Sequence, residues 1–151
     1  MYSPDKPTFL KKAAEGNLVP VWRELLADQD TPVAAYERLC SGLSAAGKTS
    51  CSFLLESVEG GEHVARYSFL GVHPASVFRA WGRRVEIVSE NGARQVMENV
   101  DALGELKKLM ARFQPVPDPA LPRFFGGAVG YIGYDAVAQF DRVPLSSKPG
   151  L

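Results

Sequence analysis

Apolar residues along the chain recur first at helical spacing, then at alternate positions, then at helical spacing again. In SPDKPTFLKKAAEG, residues 3–16, Ser3 or Asp5 can start a helix, Pro7 suits its first turn and Gly16 can stop it. In NLVPVWREL, residues 17–25, Val19, Val21 and Arg23 alternate with Pro20, Trp22 and Glu24. Pro20 has no N–H to give to a ladder, so this pattern predicts an edge strand. DTPVAAYERLCSGL then offers Asp30 or Thr31 as cap and Pro32 in the first turn. Val33, Tyr36, Leu39, Cys40 and Leu43 fall on one face, predicting an amphipathic helix that ends before Gly47 and turns that stripe toward the core.

From Ser50 the period becomes two. SCSFLLES and ARYSFLGV flank the polar turn VEGGEH, and residues 76–98 reverse near Gly82 and at the Asn91-Gly92 pair. The prediction is an antiparallel meander of four or five strands. A last helix, capped by Asp101, places Leu103, Leu106, Leu109, Met110 and Phe113 on the face that can lie over the sheet, so the fold class is α+β with two or three flanking helices. QPVPDPALP, with four prolines, predicts an extended crossing. RFFGGAVGYIGYD combines strand formers with glycines at 126, 127, 130 and 133. Such a strand is expected to cross closely against a neighbouring sheet or a ligand, or to bend sharply. The closing VPLSSKPGL brings no element to pair with it, so a fragment of a longer protein is expected.

Composition narrows the classes. At 151 residues, 46% of them hydrophobic, the chain fits one domain with a core of its own. Lys plus Arg and Asp plus Glu are equal at 17, which leaves no field to recruit nucleic acid or an anionic membrane. The amino terminus resembles neither a signal peptide nor an anchor, and the longest uncharged run, residues 124–134, falls short of the ~20 residues of a membrane helix. A cytoplasmic protein is expected. Cys40 and Cys51 lack metal-ligand spacing and read as reduced, buried thiols. The glycines match neither a phosphate loop nor a dinucleotide fingerprint. His63, in a turn, and His73, before Pro74, read as surface histidines with no nucleophile to serve.

The candidate chemistry lies across the first hairpin, where Glu56 and Ser57 end one strand and Arg66 and Ser68 open the next. A zwitterionic amino acid needs an acceptor for its ammonium and a donor for its carboxylate, since a buried unpaired charge costs several kcal/mol. Glu56 and Arg66 can supply these, and the hydroxyls of Ser57 and Ser68 can orient the ligand. Side chains alternate along a strand, so Glu56 and Ser57 reach one pocket together only if the strand bends or one contributes its backbone. A solvated Glu56–Arg66 salt bridge is the commoner arrangement of such residues.

Three stretches, NLVPVWRELLADQDTPVAAYERL, FLLESVEGGEHVARYSFLGVHP and FFGGAVGYIGYD, resemble in order and separation the amino-terminal region of anthranilate synthase component I. Aminodeoxychorismate synthase component I is similar, but the LLESVEGGE and RYSF forms resemble the anthranilate enzyme more. The resemblance covers almost all of residues 1–151 and implies a feedback-regulatory domain, part of a larger two-domain, β-sandwich-like chorismate-enzyme fold. It implies that Leu55, Glu56 and Ser57 bind L-tryptophan as inhibitor, with Arg66 and Ser68 as further contacts. It also implies a carboxyl-terminal domain holding the chorismate site and its magnesium, and a glutamine amidotransferase subunit, component II, as the ammonia source. This stretch alone is then expected to carry no catalysis, no cofactor and no metal. Two other readings stay open: a purely structural interdomain-packing module, and a related enzyme that keeps tryptophan as a structural ligand.

Overall fold

A computed structural model describes residues 1–45, 51–56 and 67–139. Helix α1 spans Lys6–Lys12; Asp5 caps it, its carboxylate accepting the Thr8 N–H at 3.0 Å, and Pro7 sits in the first turn. Helix α2 spans Pro32–Ala45. Its cap is Thr31, whose hydroxyl accepts the Ala34 N–H at 3.1 Å, while Asp30 pairs with Arg38. Tyr36, Cys40 and Leu43 are half-buried, whereas Val33 and Leu39, predicted on the same covered stripe, are exposed.

Five strands follow: β1 (Ser52–Glu56), β2 (Ser68–Val72), β3 (Ser76–Trp81), β4 (Arg84–Ser89) and β5 (Arg94–Met97). They form an antiparallel pair, β1-β2, and an antiparallel three-stranded sheet, β3-β4-β5, rather than one meander. The break lies after Val72, where His73 takes a left-handed conformation with φ +57° and Pro74 has no N–H for a ladder. The predicted reversals hold, with Gly82 and Gly92 at φ +57° and +82°.

Helix α3 (Ala102–Met110) is capped by Asp101, as predicted, and packs on β4. Val85, Ile87 and Ala102 make the buried centre, with Phe78, Met97, Val100 and Leu109 around it. Met110 and Phe113 remain exposed, Phe113 beyond the helix end. On the opposite face Glu86, 7% exposed, lies beneath Arg79 and Arg94. Among the described residues the only other buried hydrophobic is Val116, so the core is smaller than the composition suggests.

The strand expected over residues 17–25 does not form. The segment makes two isolated bridges instead, Ser3 with Trp22 and Leu18 with Pro115, because it meets a proline-rich crossing that lacks the N–H groups a ladder requires. The Gln114 carbonyl accepts from Asn17 and Leu18 N–H at 3.1 and 3.3 Å, and the Leu18 carbonyl accepts from Val116 N–H at 2.9 Å. Gly16 does not stop α1, which ends at Lys12. Its role is close approach, since a Cβ there would stand 2.3 Å from the Gln114 carbonyl oxygen. A salt bridge of 2.9 Å between Lys12 and Asp118 ties α1 to the same crossing.

Two further expectations are corrected. Residues 124–133 form no strand, and a Cβ at Gly126, Gly130 or Gly133 would meet nothing within 4 Å. Among the described residues no neighbour lies close enough to require those glycines. A 3-10 helix, Tyr134–Gln139, follows. The cysteines are free thiols, yet Cys40 is half-buried and Cys51 exposed, because Cys51 precedes the edge of a two-stranded sheet with little above it. No helix among the described residues is long and apolar enough to cross a membrane.

Candidate functional site

The pairing of β1 with β2 fixes the geometry of the candidate residues. Glu56 stands directly opposite Ser68, and Leu55 opposite Phe69. Directly opposed residues share a face, so Glu56 and Ser68 project together while Leu55 projects on the other side. The Glu56 face is the one α2 covers further along. Ser52, four residues back and on the same side, has its hydroxyl 2.7 Å from the Tyr36 hydroxyl and accepts a 3.6 Å contact from the Cys40 thiol. Helix α2 touches Ser52 at one end of the pair without burying it; Ser52, Glu56 and Ser68 are all exposed, the last two at the end away from the helix.

The opposite face is aromatic. The Phe69 ring lies 6.0 Å from Tyr67 and 5.2 Å from Phe124, the latter edge-on. Such edge-to-face pairs are worth ~0.5–1.5 kcal/mol beyond area burial. Phe124 opens the glycine-rich segment, so this contact anchors that segment to the strand pair carrying Leu55 and Glu56. Ser57 and Arg66 lie outside the described residues, as do His63, Gly60 and Gly61. The structure thus brings Glu56 and Ser68 together, and it sets Leu55 with the aromatic side.

Beside Tyr67 opens a cavity of about 470 Å³ lined by Trp22, Arg23, Glu24 and residues 119–122 as well. Arg23 is positioned over the Tyr2 ring, 5.3 Å from its centroid. Asp118 sits behind the cavity wall, its carboxyl held below the usual value first by the Lys12 hydrogen bond and then by the Ala120 N–H. Sequence reasoning missed this cavity. Two of its walls come from segments about a hundred residues apart, joined by long-range contacts such as the bridge between Leu18 and Pro115 and the Lys12–Asp118 salt bridge. His73 is half-buried, its Nε2 2.9 Å from Glu90, away from these groups. Among the described residues no three His, Cys, Asp or Glu side chains converge to hold a metal ion.

Comparison of the sequence with known proteins finds relatives that match it over nearly its whole length. The anthranilate synthase component 1 of Acetivibrio thermocellus is 37% identical over 144 residues, covering 95% of this chain and 28% of the relative. That of Synechocystis is 38% identical over 146 residues, covering 96% and 27%. The chain is homologous to the amino-terminal region of anthranilate synthase component 1. The Pseudomonas aeruginosa component 1 matches at 37% identity over 139 residues. The chain spans little more than a quarter of the length of these component 1 proteins. No family model and no solved structure matches it.

Proposed function

We propose that this chain is the effector-binding part of an anthranilate synthase component 1 and that its ligand is L-tryptophan. The observation that carries the reading is the face-to-face placement of Glu56 and Ser68 at the uncovered end of the β1-β2 pair, beside an aromatic surface and an open cavity. Glu56 accepts from the ligand ammonium and Ser68 hydrogen-bonds to it; Ser57 and Arg66 complete the polar end, with Arg66 on the carboxylate. The indole takes the apolar side, where Leu55, Tyr67 and Phe69 offer a surface that a smaller side chain fills less well. At the strand ends the two faces meet, so one ligand can reach both.

The rest of the proposal concerns the whole protein. In it, chorismate and ammonia become anthranilate and pyruvate in a carboxyl-terminal domain, with a glutamine amidotransferase subunit supplying the ammonia. Tryptophan favours a domain arrangement that cannot close over chorismate. The feedback is then a coupling free energy, typically ~1–3 kcal/mol, and chorismate weakens tryptophan binding by the same factor.

Calorimetric titration of L-tryptophan into this chain tests the reading, with L-phenylalanine as control. Saturable, tryptophan-selective heat is expected, and Glu56→Gln should weaken it roughly tenfold or more, as expected when a charge-assisted hydrogen bond is lost. If the chain alone gives no heat, the titration is repeated with it co-purified with the remaining part of a relative. Absence of tryptophan binding in both overturns the proposal.

A further inference from the structure

Residues 125–134 carry the most conspicuous unpartnered surface of the chain. Tyr131, Ile132 and Tyr134 are 96%, 68% and 82% exposed, and Phe125 and Val129 are exposed beside them. Apolar residues fall on both alternating sets, Val129 and Tyr131 on one and Ile132 and Tyr134 on the other. That is the pattern of a strand buried on both faces, not of a solvated edge. Among the described residues its backbone has no ladder partner over residues 125–132, and its glycines leave room for a neighbouring backbone that nothing described here uses.

We propose that residues 125–134 are a docking strand for the polypeptide that the component 1 relatives carry beyond the region they share with this chain. Two observations choose this occupant. The relatives extend for nearly three-quarters of their length past the match. The segment also leaves the body of this chain immediately after Phe124, which the Phe69 ring anchors, so a partner can add to it without displacing a packed element. Docking works by strand addition: main-chain hydrogen bonds to the free N–H and C=O groups, with the exposed aromatic and Ile132 side chains covered from both sides. The inference rests on family membership and is independent of tryptophan binding.

The test is co-expression of this chain with the remaining part of the Synechocystis relative, followed by purification through a tag on this chain and hydrogen exchange on the product. A recovered complex with slowed exchange over residues 125–134 is expected. Ile132→Asp should lower recovery about tenfold or more, as for losing a buried large side chain at an interface. Leu26→Asp, at a still more exposed apolar position elsewhere, should not. Circular dichroism of both variants separates lost docking from lost folding. No complex, a complex whose segment exchanges freely, or equal recovery with Ile132→Asp overturns the proposal. So does self-association of this chain that protects the same residues, which would make a second copy the occupant. Failure of the tryptophan titration with this complex intact would reject the effector reading alone.

Discussion

Gly16→Ala is expected to destabilise the chain by about 1 kcal/mol, against the usual sign for replacing glycine by alanine. The added Cβ would sit 2.3 Å from the Gln114 carbonyl oxygen, well inside the 3.0 Å that such contacts keep. Val116 Cγ2, at 2.9 Å, can rotate away, but the carbonyl is backbone. It accepts from Asn17 and Leu18 N–H, while the Gln114 N–H donates to the Asn17 side chain at 2.6 Å, so retreat strains three hydrogen bonds together. These bonds are exposed enough for water to replace them in part, which sets each near the low end of ~0.5–1.5 kcal/mol. The entropy removed from the unfolded chain returns only ~0.4–1 kcal/mol. Urea unfolding followed by far-ultraviolet circular dichroism should show a lower midpoint with unchanged slope, and heating a midpoint lower by roughly 2–8 °C. Gly126→Ala, where the Cβ meets nothing, is the control and should be neutral or slightly stabilising. A Gly16→Ala midpoint at or above the parent's refutes the close-approach account.

Other expectations follow from single contacts. Because the Lys12 and Ala120 hydrogen bonds lower the Asp118 pKa, the unfolded chain binds that proton more readily; the stability it contributes is present above 3.8 and lost as pH falls through the depressed folded value. Asp118→Asn should therefore flatten part of the acid fall in urea midpoint and leave its shape at neutral pH alone; an unchanged acid profile contradicts the pairing. Gly104→Ala should be near neutral despite a propensity gain of ~1 kcal/mol, because its Cβ would press 2.6 Å from the Asp101 carboxylate that caps α3. A full gain in chemical denaturation would show that the cap relaxes at no cost. Glu86→Ala should cost about 1 kcal/mol by the same measurement, leaving Arg79 and Arg94 facing each other across an exposed rim.

Local chemistry made most elements legible before any coordinates. Asp5, Thr31 and Asp101 each cap the helix whose start they mark, and Gly82 and Asn91-Gly92 turn the chain where a two-residue period breaks. What stayed hidden depends on contacts distant in sequence. Trp22 alternates like a strand residue, yet its neighbours are Ser3 and a wall of prolines, so it lines a cavity instead. The meander divides at His73 because one non-glycine residue adopts a left-handed conformation, which no period announces. That Glu56 and Ser68 lie on one hairpin was readable from the sequence, but their direct opposition was not, since the expected cross-strand partner of Glu56 was Arg66; nor was the aromatic side of the site, since Phe69 finds Phe124 across more than fifty residues.

That last contact joins the two proposals physically. Phe69 is opposite Leu55 in the strand pair and edge-on to Phe124 at the head of the docking segment. A partner that straightens residues 125–134 into a paired strand pulls on Phe124, and the Phe69 ring conveys that displacement to the strand ending in Glu56. A ligand held at Glu56 and Ser68 acts on the same ring from the other direction, through the register of two strands with no third to brace them. A two-stranded pair covered by one helix is held by fewer contacts than strands over a deep core. If both proposals hold, the sparse packing around β1 and β2 is the place where effector binding and docking would bias one another.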